Sequence, residues 1–128
     1  MLESYPVAAT IATGDLARAR SFYEETLGLK VDMEDEGGIL YESGGARLLV
    51  YPSQFAGTSQ ATAATWLVDD IDRVVDELAA KGITFEQYDF PGLKTDERGI
   101  ADAGTFKGAW FKDPDGNILN VGQQTPAS

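Results

Sequence analysis

The chain contains neither histidine nor cysteine, so its capacity for chemistry rests on what remains. Without cysteine there are no disulfides, thiolate nucleophiles or thiolate metal sites. Without histidine, a Ser-His-Asp triad, a two-His-one-carboxylate iron site and a His-ligated zinc are ruled out within this chain. Proton transfer falls to Asp, Glu, Lys or Tyr, and any metal needs oxygen ligands. The stretch of greatest interest is Lys112 to Val121, KDPDGNILNV. Its Asp113-Pro114-Asp115-Gly116-Asn117 segment is turn chemistry, because Pro presets φ, Gly accepts positive φ, and Asp and Asn bond back to nearby amides. Apolar runs flank it, so the stretch reads as a hairpin, with Asn120 on the returning strand.

The elements that position these residues must come from a chain of 128 residues, 43% of them hydrophobic, enough for one domain with an ordinary core. A net charge of −11 disfavours nucleic acid and anionic membranes, which would be repelled. It points weakly towards a cationic ligand. Met1 to Pro6 lacks the basic and apolar regions of a signal peptide, and no apolar run approaches the length of a membrane span. A soluble cytoplasmic protein is the expectation.

Val7 to Ala12 reads as a first strand. Asp15 caps an amphipathic helix with Leu16, Ala19, Tyr23 and Leu27 on its apolar face and Gly28 at its end. Leu29 to Met33 is extended, and Asp32 to Glu36 reads as a solvated acidic loop. Gly38 to Glu42 and Arg47 to Tyr51 form a hairpin about Gly44-Gly45. After a polar connector, Pro52 to Gln60, the pattern restarts. Ala63 to Val68 is a strand, and Asp69-Asp70 caps a helix with Ile71, Val74, Val75 and Leu78 at helical spacing. Gly82 ends that helix, and Ile83 to Phe85 is extended. Tyr88 to Phe106 lacks clear periodicity and reads as a long loop, a lid or binding loop. Thr125 to Ser128 reads as a frayed tail. The order of elements is a weak internal duplication: strand, helix, then three strands, twice.

These features together resemble the vicinal oxygen chelate superfamily, which includes glyoxalase I, extradiol dioxygenases, fosfomycin-resistance enzymes and bleomycin-binding proteins. The resemblance rests on Gly14-Asp15-Leu16, Ser21-Phe22-Tyr23, Leu27-Gly28-Leu29, Val68-Asp69-Asp70-Ile71-Asp72 and Asp113 to Asn117. Each motif alone is weak; the ordered set, spanning roughly Ala8 to Gln123, is fairly specific. It implies an α+β fold of paired βαβββ modules forming an open cupped sheet. Residues 1–128 would make one domain, with module one at about 5–58 and module two at about 61–124. Members usually form homodimers.

Many members hold a divalent metal in the cleft. Carried over residue by residue, the ligand positions fall on Ala8, Ala63, Asn120 and a position near Val50. None of these is an anionic or imidazole ligand, so the resemblance leaves only an unusual all-oxygen site open to a metal, and the expectation is no metal and no other cofactor. The implied cleft face carries Ala8, Thr10 and Ala12 from one module and Ala63, Thr65 and Leu67 from the other. Trp110 shares a face with Gly108 and Asn120. Tyr51, Phe55, Tyr88, Phe90 and Phe106 would line the rim or lid.

The candidate ligand-binding residues are therefore Thr10, Tyr51, Thr65, Trp110 and Asn120, with no catalytic residue assigned. Each has a plainer alternative. Trp110 fills the interior, the threonines reflect strand propensity, and Asn120 is either a ligand-orienting amide or a buried amide satisfied by neighbours. Trp66 alternates out of phase with Thr65 and is expected to pack against a helix; Tyr23 is expected in the core. Lys94 and Asp96 are candidate ligand contacts, with a solvated loop as the plainer reading. Glu42, Glu86 and Asp89 are candidate acids near the cleft, none paired with a second catalytic group. The expected function is metal-free binding of a small molecule, aromatic or cationic, in a sequestration or self-resistance role. The alternative is a glyoxalase-like enzyme (lyase, isomerase or dioxygenase) with an atypical or metal-free site. A third reading is a decayed cleft that retains only dimerisation or partner binding.

Overall fold

The structure is a computed structural model that describes residues 1–124. The expected tail, Thr125 to Ser128, lies outside the described residues. The chain divides into two compact units. Among the described residues, unit 1 comprises Met1–Ala63 and Pro114–Asn117, and unit 2 comprises Ala64–Asp113 and the segment 118–124. No helix among the described residues is long and apolar enough to cross a membrane.

Unit 1 opens with a 3-10 turn, Leu2–Ser4, then β1 (Ala8–Thr13), α1 (Leu16–Arg20), β2 (Lys30–Asp35), β3 (Gly38–Ser43) and β4 (Ala46–Pro52). Its sheet order is β1-β4-β3-β2, with β1 and β4 parallel and the rest antiparallel. The Asp15 side chain accepts from the Arg18 N–H at 3.1 Å, which satisfies an orphan donor of the first turn. The helix is not regular to its end. From Ser21 to Thr26 it widens into a π-helix, and the Leu27 N–H donates to the Phe22 carbonyl. Helical spacing alone cannot separate these two forms, because Tyr23 stays on the buried face in both. The apolar face packs Ala19 and Tyr23 against Ile11, Ile39, Tyr41, Leu48 and Val50, all buried. The Tyr41 hydroxyl, inside this core, donates to Glu24 Oε2 at 2.9 Å. Burial, and then the bond to Glu24, push that phenol well above its ordinary value.

Asp32 to Asp35 is exposed, as expected, but it is not a loop. It is the second half of β2, paired with β3, and the turn follows at Glu36-Gly37. Asp32 bonds Arg47 at 2.8 Å, and Glu34 bonds Arg20, so neighbouring arginines offset the clustered acids. The Gly44-Gly45 hairpin forms as expected, with φ of 57° and 82°, the double left-handed turn that matches strand twist.

Unit 2 repeats the plan with β5 (Thr62–Leu67, its first two residues falling in unit 1), α2 (Ile71–Ala80), β6 (Asp89–Phe90), β7 (Leu93–Lys94), β8 (Ile100–Asp102), β9 (Phe106–Lys112) and β10 (Ile118–Gln124). Its sheet order is β5-β10-β9-β8. Asp70 caps α2 by accepting from the Arg73 N–H at 3.2 Å. Ile71 and Val75 bury against Phe111, Leu119 and Val121. Tyr88 to Phe106 is more ordered than its composition suggests. It forms a two-residue hairpin, β6–β7, and then β8, which supplies the third strand of the sheet. Ile83 to Phe85 does not supply that strand; only Phe85 bridges to Phe111. The segment hides its strands because they are two or three residues long, too short to show alternation.

Candidate functional site

The predicted site residues fall into two groups, one in each unit. In unit 1, alternation places Ala8, Thr10 and Ala12 on the face of the sheet away from the helix, with Arg47, Leu49 and Tyr51 beside them on β4. Thr10 is exposed and Tyr51 half-buried. Val50 is fully buried on the opposite, helix-packed face, so the open-face positions flanking it are Leu49 and Tyr51. Glu42 is exposed and lies opposite Arg47 in register.

In unit 2 the structure brings Trp110 and Asn120 together as direct register partners on β9 and β10. The next pair on the same face is Gly108 opposite Gly122. Ala109, Phe111, Leu119 and Val121 take the other face and build the core. Thr65 is exposed on β5, and Leu67 is 70% exposed. Trp66 is half-buried, on the alternate face from Thr65.

Aromatic rings gather around this face. Tyr88 meets Trp110 edge-on at 5.7 Å and stacks with Phe90 at 5.7 Å and 27°. Phe90 remains 58% exposed. The loop carrying both rings is tied down by Thr95, a buried residue absent from the sequence-based candidates. Its Oγ1 accepts from the Tyr88 N–H at 2.8 Å, and its own N–H donates to the Tyr88 carbonyl at 3.0 Å. Glu86 N–H donates to the Trp110 carbonyl at 2.8 Å, which holds the start of the loop to β9. Burial, and then the nearby Glu86 carboxylate, raise the Tyr88 phenol above its ordinary value, so it stays a neutral donor at physiological pH.

Phe106 completes the cluster. A Cβ built on Gly122 would lie 2.3 Å from Phe106 Cζ, and one built on Gly108 would lie 2.9 Å from Cε1. The ring therefore rests on the bare backbone of two paired glycines, where any side chain would displace it. The same hypothetical atoms lie 3.2 Å from Asn120 Nδ2, 3.2 Å from the Trp110 ring and 3.3 Å from Asn120 Oδ1. Asn120 is only 3% exposed. Its Nδ2 donates to the Ala109 carbonyl at 3.1 Å, and its Oδ1 accepts no hydrogen bond among the described residues. The sequence signal that would have found this floor is the spacing of Gly108 and Gly122 on two strands of one hairpin.

The metal that many superfamily members carry does not fit these residues. Ala8 and Ala63 have only methyl side chains, Val50 faces the core, and Asn120 offers one neutral oxygen. Such positions lack the anionic or imidazole donors that hold a divalent ion against water. Among the described residues, no group of three or more Asp or Glu side chains is placed to hold one. Glu86 bonds Lys112 at 3.5 Å, while Asp89, Lys94 and Asp96 are exposed at the surface of unit 2.

A second polar cluster, in unit 1, is structural. Asp115 Oδ2 accepts from Thr13 Oγ1 at 2.6 Å, and Oδ1 accepts from the Gly14 N–H and from Arg18 Nη2, each at 2.8 Å. Burial pushes the Asp115 carboxyl up, but these donors outweigh it and hold the group below its ordinary value. Beside it, Asn117 Nδ2 donates to the Ala12 carbonyl at 2.8 Å, and its Oδ1 accepts from the Gly57 N–H at 3.2 Å. The turn that looked like a simple connector is thus a packed part of unit 1.

Comparison with known proteins agrees with this architecture. Among solved structures, a glyoxalase family protein from Enterococcus faecalis matches at 24% identity, covering 95% of this chain and 99% of that one, with a TM-score of 0.71. A glyoxalase/bleomycin resistance protein/dioxygenase from Alicyclobacillus acidocaldarius matches at 18% identity over 94% and 92%, with a TM-score of 0.70. TnmS3, an antibiotic binding protein from a Streptomyces species, matches at 20% identity over 98% and 99%, with a TM-score of 0.67. These identities establish a shared fold. No curated protein sequence matches the chain. The family model described as the glyoxalase/bleomycin resistance protein/dioxygenase superfamily matches residues 6–121, and the chain belongs to that superfamily.

Proposed function

We propose that the protein binds a flat aromatic small molecule on the open face of the unit 2 sheet, without a protein-bound metal. The observation that carries this reading is the cluster of Tyr88, Phe90, Trp110 and Phe106 around Asn120, over a floor of two glycines. Apolar and aromatic walls with one well-placed polar group are the usual makeup of a small-molecule site. Rings offer a ligand stacking and edge contacts worth about 1 kcal/mol each beyond simple area burial. The net charge of −11 favours a cationic ring over an anionic one by long-range attraction. One structural neighbour, TnmS3, is an antibiotic binding protein, which is compatible with a sequestering role.

The test uses proflavine, a flat tricyclic cation, and a Trp66→Phe protein in which Trp110 is the sole tryptophan. Saturable quenching of Trp110 emission, together with a rise in Tm that grows with dye concentration, supports the reading. An unchanged Tm and unquenched emission at millimolar dye would overturn it.

A further inference from the structure

We infer that the Phe106 ring occupies the ligand's own place in this site, and that it must swing away before a flat aromatic ligand can reach Asn120. This rests on the binding reading above and names the residue that controls it. Asn120 lies on the open face of its sheet, yet it is only 3% exposed. The groups crowded about it are the Phe106 and Trp110 rings, as the closeness of all three to Gly108 and Gly122 shows. Of the two rings, Trp110 is held by its Tyr88 contact in mid-strand. Phe106 is the first residue of β9, immediately after the bend at Gly104-Thr105, where Gly104 has a φ of 89°. Paired only at the last rung of the β9–β10 ladder, opposite Gln124, it is the ring whose displacement disturbs the sheet least.

The space it would vacate has a defined shape. Its floor is bare backbone at Gly108 and Gly122, one side is the Trp110 ring, and one edge is the Asn120 amide. Seated that low, a phenyl ring fits because it is flat; a branched aliphatic group would meet the same backbone at the distances that exclude a Cβ. The Asn120 Oδ1, with no donor among the described residues, accepts from an N–H or O–H on the ring's edge. The ligand class is thus a flat aromatic bearing a hydrogen-bond donor in its plane. Proflavine, with ring amines, has that form.

Two substitutions separate the alternatives, because they act in opposite directions. Phe106→Ala empties the slot, and Gly122→Ala fills it with a methyl group that also evicts the ring. Two quantities are measured in each: proflavine affinity, and solvent exchange of the Asn120 side-chain amide protons by NMR. The expected result for Phe106→Ala is affinity raised about tenfold and exchange faster by about tenfold. Gly122→Ala is expected to lower affinity by at least about tenfold. Phe106→Leu, which retains apolar bulk, gives intermediate values and guards against loss of fold. Affinity that falls or stays level in Phe106→Ala, with the wild-type protein still binding, overturns the gating role and leaves the binding reading intact. Unaltered amide exchange in Phe106→Ala also overturns it. Absence of proflavine binding to wild type and every variant overturns the binding reading itself, and this inference with it.

Discussion

The two units share a strand order and a cap, and they differ in where they bury polar groups. Unit 1 places its buried polar cluster at the end of β1, where Thr13 and Asp115 satisfy each other and Arg18 closes the set. Unit 2 places its own, Asn120, on the open face of the sheet among aromatic rings, with one acceptor left over. A buried polar group with every bond made rigidifies its surroundings; the Asn120 Oδ1, which makes none among the described residues, keeps contact with solvent, since no side-chain N or O atom among them is both buried and unpaired. The open face of unit 1 makes the same point by contrast, since Ala8, Ala12, Leu40 and Leu49 give it aliphatic surface without a gathered set of rings. Two halves of one plan thus differ in their chemistry, one closing its polar groups on each other and one, in the binding function proposed above, offering an amide among aromatic rings.

That contrast breaks most readily at Gly57. A Cβ there would sit 1.9 Å from the Asp115 carbonyl oxygen, and the residue has a φ of 71°. Gly57→Ala is expected to cost about 3 kcal/mol, read as a lower denaturant midpoint, through clash and backbone strain together. A loss under about 1 kcal/mol would mean that the 53–60 connector yields easily and that the turn is not locked.

Asp115→Ala comes next, at about 2 kcal/mol, since it leaves three donors without their acceptor. It also carries a pH signature. The folded carboxyl titrates below its ordinary value, so its contribution is complete above that value and disappears as pH falls through the folded pKa. Unfolding curves of the wild type should therefore weaken on the acid side below about pH 4, and Asp115→Ala should weaken less steeply there. Identical acid limbs would remove Asp115 from the set of stabilising acids.

Trp110→Ala sharpens the other half of the comparison. It is expected to weaken proflavine binding about tenfold, as loss of an aromatic anchor commonly does. The counterpart on unit 1, Tyr51→Ala, is expected to weaken it by about threefold or less, measured by the same quenching titration with Trp66 as the reporter in Trp110→Ala. A larger loss at Tyr51 than at Trp110 would assign recognition to the wrong unit.

Much of the frame was legible in the residues. Asp15 and Asp70 both cap as expected, because a side-chain acceptor before an amphipathic run has few other local uses. The Gly44-Gly45 hairpin and the Asp113 to Asn117 turn were equally plain. What was not legible depended on distant partners. The acidic run at Asp32 is solvated as expected, but it looked like a loop because β3, which pairs it, and Arg47 and Arg20, which offset its charge, lie elsewhere in the sequence. Strands β6 to β8 were too short to alternate, and only their pairing with each other and with β9 defines them. The rings and Asn120 were identifiable as candidates. The seat of Phe106 on Gly108 and Gly122 was not, because a glycine's purpose is the thing that approaches it.

The docked turn at Pro114–Asn117 has a consequence for how the protein is born. Unit 1 is contiguous through Ala63 except for these four residues, and Asp115 and Asn117 hold β1, the start of α1 and the Gly57 loop. A chain emerging from the ribosome can pair β1 to β4 early, but its first unit stays unfinished until Asn117 has been made. The earliest half to be synthesised is therefore among the last to be completed, and the ordinary vectorial advantage of domain-by-domain folding is forgone.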